Sequence, residues 1–170
     1  LLMLTCRQRA RRPPFEWAVM IEECAGEFLV GGRWRETVEK RGDYSRVDMV
    51  LPVNGQVEIK AGVVFRWALV IERMNRERPE IQFGIQGVGF EYPWRLITST
   101  RCSRSRDEDE HWTRRPKGDR MIREYDIIHL ELDLRKQMGC LYMAVNDEAF
   151  ELVFDDVPTA APVMPSVMLG

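Results

Sequence analysis

Hydrophobic and polar residues alternate most regularly near the end of the chain, between residues 125 and 170. In the run 127–134 every second position is apolar, namely Ile128, Leu130, Leu132 and Leu134, while Ile127, His129, Glu131 and Asp133 fall on the other face. A period of two puts such side chains on one face of a β-strand, whereas a helix would repeat them every three or four residues. The run 141–145 repeats the pattern. We therefore expect two strands that each bury one face.

A tight turn is predicted directly after the second of these strands. Asn146 and Asp147 tolerate the positive φ angles that a two-residue hairpin turn requires. The run 149–154 then returns as a third strand, and Val157-Pro158 marks a corner before a fourth strand. The end of the chain is thus predicted to be a set of neighbouring strands joined by short turns.

Shorter apolar runs upstream predict further strands. They cover residues 15–21, 28–30, 47–53, 56–59, 65–71, 81–85 and 94–98. Asn54-Gly55 lies between two of them and predicts a hairpin, while the charged segment 33–45 fits either a loop or one helical turn. Strands at intervals of roughly ten residues, with turn signals between them, are typical of a sandwich or a barrel.

One long segment, residues 99–123, shows no such period. Irregular loops longer than ~15 residues are uncommon inside a compact domain and are often functional or disordered. This one contains His111, Trp112 and several arginines. It is therefore the most interesting part of the predicted surface.

Charge is balanced over the whole chain but segregated along it. The 170 residues carry 25 basic and 27 acidic side chains, a net charge of −2, so no global field favours nucleic acid or an anionic membrane. Residues 7–12, 101–106 and 114–120 are basic and residues 107–110 are acidic, as in solvated loops. We expect residues 1–14 to form a basic arm, which is the one part suited to nucleic acid, and residues 15–170 to form a single domain.

The cysteines and the apolar runs bear on the compartment. The four cysteines include no C-x-x-C pair, so they give no zinc site, and reduced thiols of an intracellular protein are expected rather than two disulfides. No apolar run approaches the ~20 residues of a membrane span. The expected location is the cytoplasm. The mitochondrion is the alternative, because the acid-free basic start is similar to a transit peptide.

The end of the chain resembles a SPRY (B30.2-like) domain. The residues that follow the order and spacing of that family are Asp126-Ile127-Ile128, Leu132-Asp133-Leu134, Leu141, Asn146, Val153-Phe154, Val157-Pro158 and Pro165–Gly170. Upstream, the strands Arg66–Ile71 and Phe83–Ile85 are also similar to family strands. The resemblance covers about residues 62–170.

The chain departs from the family pattern at several positions. Tyr125 and His129 stand where the family has glycines, and Asn146-Asp147 replaces its Asn-Gly turn. These changes mark a divergent member. The family continues with one more strand after the segment that ends here at Gly170. We therefore expect an open sheet edge along the last strand, completed by another segment or by a partner.

The resemblance implies an all-β fold with little helix, in which two antiparallel sheets pack as a concanavalin-like sandwich. It predicts a shared core that contains Trp67, Leu130, Leu132, Leu141, Met143 and Phe154. It also implies a non-catalytic module, not an enzyme, with no cofactor, no metal, no small-molecule substrate and no membrane contact. Its partner would be a protein or a peptide bound by loops at one rim of the sandwich.

The predicted partner-binding residues are Tyr92, Trp94, Arg101, Arg104, His111 and Trp112. Tryptophan and arginine are enriched among the residues that dominate binding energy at interfaces. The ordinary interpretation is a salt-bridged loop with tryptophans that cap the core. An alternative function is a structural subunit docked permanently in a large assembly, which could contain RNA.

Other candidate chemistry is weaker. The segment Gly84–Gly89 lacks the spacing of a dinucleotide-binding loop, so a strand is expected there. His129 shares the polar strand face with Glu131 and Asp133, which suggests a metal site less well than an ordinary solvated face. The acids 107–110 lack the spaced ligands of a calcium loop.

Overall fold

The computed structural model is built of β-strands. It describes residues 2–6, 16–19, 28–31, 37–40, 48–53, 58–74, 81–87, 94–97, 103–104, 112–114 and 122–169. Fourteen strands are assigned within these ranges, and every strand pair is antiparallel. The same ranges hold no helix long and apolar enough to cross a membrane.

The first sheet has seven strands in the order β13-β12-β11-β6-β1-β4-β3. Their bounds are β1 Leu2–Cys6, β3 Phe28–Gly31, β4 Thr37–Lys40, β6 Val64–Arg73, β11 Ile127–Asp133, β12 Met138–Val145 and β13 Glu151–Pro158. The alternating run 127–134 therefore becomes β11, which pairs with β12 on one side and with β6 on the other.

The second sheet also has seven strands, in the order β10-β9-β8-β7-β14-β5-β2. Their bounds are β2 Glu16–Val19, β5 Asp48–Val53, β7 Ile81–Gly87, β8 Trp94–Ile97, β9 Ser103–Arg104, β10 Trp112–Arg114 and β14 Val163–Leu169. One edge of this sheet is thus made of three short strands that follow one another along the chain.

The core lies between the two sheets and confirms the predicted fold class. The six residues expected to share a core are all buried in one hydrophobic cluster: Trp67, Leu130, Leu132, Leu141, Met143 and Phe154. Leu130 shows why, since it is paired with Trp67 on β6 and with Met143 on β12. Phe83 and Ile85 bring the second sheet into the same cluster.

The predicted turn at Asn146 is confirmed, although it is longer than two residues. Asn146 has a φ of 55°, and five residues, 146–150, separate β12 from β13. The side chain of Asn146 stabilises the turn, because its Oδ1 accepts a hydrogen bond from the Ile127 N–H at 2.8 Å. Its backbone N–H donates to the Ile127 carbonyl oxygen at 2.7 Å.

The predicted hairpin at Asn54-Gly55 is wrong. Among the described residues, β5 pairs with β2 and β14, and the run 56–59 contributes only Ile59, which bridges to Val163 on β14. Both runs therefore lie along the same neighbour instead of pairing with each other. A local turn motif could not reveal this, because Val163, the pairing partner of Ile59, lies more than 100 residues further along the chain.

The edge that we expected along the final strand is closed by another segment of the chain, which is one of the two expected outcomes. The final strand, β14, lies inside the second sheet between β7 and β5. Val167, for example, is paired with Phe83 on one side and with Val50 on the other. Strands from the first third of the chain thus occupy the position that we expected to be vacant.

Short strands also occur in segments for which the sequence predicted none. Leu2–Cys6 of the expected N-terminal arm forms β1, between β4 and β6, and Thr37–Lys40 of the undecided segment forms β4. The segment 99–123 contributes β9 and β10, so it is not wholly irregular. The boundary between arm and domain at residues 14 and 15 stays a prediction.

Candidate functional site

Three of the six predicted binding residues lie at one edge of the second sheet. Trp94, Arg104 and Trp112 belong to β8, β9 and β10, which form the β8–β10 edge. Tyr92, Arg101 and His111 lie outside the described residues. The topology therefore brings together three positions that are up to 18 residues apart in sequence.

The register aligns two of these positions in a single row across the strands. Trp112 is paired with Arg104, and Arg104 with Arg95. Arg95 is paired with Gly84 on β7, and Gly84 with Ser166 on β14. With strands ~4.8 Å apart, four spacings make the row roughly 19 Å long. Trp94 falls outside this row, since it is paired with the core residue Ile85.

The inner end of the row, Gly84 and Ser166, is buried. Phe83, Ile85 and Val167 belong to the core, so the alternating positions Gly84 and Ser166 lie on the opposite face of the sheet. Ser166 is 1% exposed, and its Oγ has no hydrogen-bond partner in the structure described. Buried polar atoms are almost always paired, so an unpaired hydroxyl needs an explanation.

The outer end of the row has an unusual arrangement of charge. Arg95 and Arg104 are direct cross-strand partners. Like charges at directly opposite positions destabilise a sheet. An acidic group at this edge, either from the chain or from a ligand, would offset such repulsion.

The outer face of the first sheet carries paired charges. Arg66 Nε donates to Glu131 Oε2 at 2.5 Å, between neighbouring strands. The Arg135 guanidinium and backbone N–H both bind the Asp133 carboxylate, and these hydrogen bonds lower the Asp133 pKa from 3.8 to about 2. Such exposed pairs contribute little to stability and serve mainly to keep the face polar.

Tyr142 and Cys140 of β12 are hydrogen-bonded to each other. A hydrogen bond with Cys140 raises the pKa of Tyr142 above its ordinary value, so this contact disfavours the tyrosinate form. In the described ranges no group of three or more histidine, cysteine or acidic side chains is arranged to hold a metal ion. The acids 107–110 lie outside those ranges.

Sequence reasoning missed a group of exposed apolar side chains on the first sheet. Tyr125, Ile127, Phe150 and Leu152 are 74%, 39%, 48% and 40% exposed, respectively. One signal in the sequence could have pointed to them, because Tyr125 stands where the SPRY pattern has a glycine; in the structure its φ is 67°. A bulky residue with a positive φ is rare and is often associated with function.

Comparison with known proteins supports the fold through structure alone. No family model matches the chain, and no curated protein matches it in sequence. The SPRY domain of human HERC1 is a structural match with a TM-score of 0.54 and 17% identity, covering 78% of this chain and 79% of that domain. The chain has a SPRY-like fold. At this level of identity the similarity establishes the architecture, and function has to be argued from the site.

Proposed function

We propose that this chain is a non-catalytic recognition module that binds a protein or peptide partner inside the cell. The binding surface is the rim formed by the β8–β10 edge, with the predicted residues Tyr92, Trp94, Arg101, Arg104, His111 and Trp112. The chemistry of recognition is an aromatic anchor beside arginines that donate hydrogen bonds to a partner carboxylate.

One observation carries the proposal, namely the cross-strand row that ends in Arg95, Arg104 and Trp112. Arginine and tryptophan are the residue types that most often dominate interface energetics. A sheet edge also offers backbone N–H and C=O groups to an extended peptide. The row thus combines residue types and backbone groups that a peptide ligand can use.

The competing interpretation is an internal salt-bridge network. Residues 107–110, between β9 and β10, are all acidic and could neutralise the neighbouring arginines. In that case the edge would have no need of a partner. The two interpretations differ in one measurable respect, because only the first requires that a ligand contact position 104.

The alternative of a permanently docked structural subunit has lost its main support. It rested on an open edge along the final strand and on the basic N-terminal arm, and the final strand is paired on both sides. A recognition module needs no such edge.

Site-specific photo-crosslinking tests the proposal. A photoreactive phenylalanine analogue at position 104 should capture a discrete partner from cell extract, identified by mass spectrometry. The matched control carries the same group at Arg135, an exposed arginine of the other sheet in the turn between β11 and β12. Equal capture at both positions, or none at position 104, would exclude the β8–β10 edge as the binding surface.

A further inference from the structure

A second surface, distinct from the β8–β10 edge, lies at one end of the first sheet. Four of the six large hydrophobic side chains that are exposed in the described part of the chain lie here: Tyr125, Ile127, Phe150 and Leu152. We call them the hairpin-end patch. Single exposed apolar residues are ordinary on a protein surface, whereas grouped ones mark interaction sites.

The topology places these four residues along the outer face of the first sheet, near one end of it. Tyr125 and Ile127 lie at the start of β11, and Phe150 and Leu152 lie at the start of β13, with β12 between them. Two strand spacings, roughly 10 Å, separate β11 from β13 across the sheet. Along the strands, Leu152 is paired with Tyr142 and Tyr142 with Glu131, so Leu152 lies four residues beyond the row of Ile127 and the patch is elongated. The Asn146 turn links them directly, because its N–H and side-chain oxygen both bind the backbone of Ile127.

The conformation of Tyr125 suggests that this residue is present for binding, because a tyrosine at this position does not stabilise the fold. Its φ of 67° is unfavourable for any residue with a Cβ atom, and glycine would adopt it freely. Its side chain is 74% exposed, so little burial offsets that cost. An exposed aromatic ring held in a strained turn is the arrangement expected of a binding residue.

The backbone beneath the patch is held rigidly. Asp126 is 5% exposed and accepts hydrogen bonds from the Arg123 N–H and from Asn146 Nδ2, each at 2.8 Å. The Tyr125 N–H donates to the Ile71 carbonyl oxygen at 2.6 Å. The buried Asp126 carboxylate therefore holds the turn at residues 123–126 and the turn at Asn146 in place. A ligand would meet a surface that is already organised for binding.

Charge around the patch has one predominant sign. Glu124, Asp147 and Glu148 are exposed, and Glu151 is half-buried. From residue 137 to residue 170 the chain contains no lysine, arginine or histidine. Arg123 is the one basic residue in the segments 122–127 and 146–152, and the exposed Arg73 at the end of β6 adjoins them. The patch is thus an apolar surface surrounded by carboxylates.

We infer that the hairpin-end patch binds a cationic peptide segment of a partner protein. Aliphatic or aromatic side chains of that segment would cover Ile127, Phe150 and Leu152. Its lysines or arginines would face the surrounding carboxylates, and one of them would lie over the Tyr125 ring, which attracts cations. A second copy of the same patch is disfavoured as the occupant, because it would bring like charges together.

Selection from a phage library of random 12-residue peptides tests the inference. The bait is the 170-residue protein, and the Tyr125→Gly variant serves for counter-selection. Enriched peptides should combine two or more lysines or arginines with an aliphatic or aromatic residue. Tyr125→Gly should weaken their binding at least tenfold, while Tm stays the same or rises because the strain is relieved.

Two further variants make the result decisive. Met138→Ser removes another exposed apolar side chain, 45% exposed, from β12 and should change the binding less than twofold. Trp112→Ala should also leave this binding unchanged, since it lies in the other sheet. No enrichment over the counter-selection, acidic consensus peptides, or a Tm loss in Tyr125→Gly would overturn the inference. So would a dimer that dissociates in Tyr125→Gly, because the occupant would then be a second copy.

Discussion

Truncation of a buried leucine in the central strands tests the packing of the sandwich. Leu132 is 0% exposed and is paired with Leu141 on β12 and with Phe65 on β6. Leu132→Ala removes about three methylene equivalents, worth roughly 2.4 kcal/mol of transfer free energy. The cavity left behind adds to this, so the total cost should be about 3–4 kcal/mol, within the usual range of about 2–5.

Urea unfolding measures this loss, and the same change on the surface provides a matched control. Leu152 lies on the edge strand β13 and is 40% exposed, so Leu152→Ala should cost less than about 1 kcal/mol. For a chain of this size the core variant should also lower Tm by roughly 6–16 °C. Equal losses in the two variants would refute the assignment of Leu132 to the core and, with it, the strand register.

Three further predictions concern single residues. Gly139→Ala should cost about 1–3 kcal/mol in urea unfolding, because a Cβ atom there would collide with the buried Leu134 side chain; an unchanged midpoint would contradict that packing. Asp126→Ala should also cost about 1–3 kcal/mol, because a backbone N–H and a side-chain amide lose their acceptor, and full stability would show that water replaces it. The Asp133 pKa of about 2 lies below its ordinary value of 3.8, so its pairing stabilises the fold above pH 4 and the benefit is lost as pH falls toward 2. In Arg135→Ala an NMR titration should find this pKa close to 3.8 again, and a value still near 2 would assign the shift to another cause.

Much of the fold could be predicted from sequence where strands are long and have one buried face. The alternation of Ile128, Leu130 and Leu132 defines β11, because a strand covered on one side selects residues with a period of two. The turn at Asn146 was also predictable, since few residues other than glycine adopt a φ of 55°. Both signals are local.

The features that sequence missed depend on distant parts of the chain. β9 has two residues and β10 has three, which is too short to display any period. The position of β14 between β7 and β5 follows from pairing with residues more than 100 positions away. The row from Ser166 to Trp112 likewise exists only once five strands are in register. The sequence could therefore propose Arg104 and Trp112 by residue type, but it could not place them side by side.

The most direct test of recognition by the β8–β10 edge is the affinity of Trp112→Ala for the partner captured at position 104. Isothermal titration calorimetry and Tm should be measured together, with Arg135→Ala as the control from the other sheet. We predict a loss of about 2 kcal/mol or more, roughly a thirtyfold rise in Kd, with Tm nearly unchanged. An unchanged Kd in a folded variant would contradict the account. Unfolding of the variant would do so as well, because it would make Trp112 a part of the core.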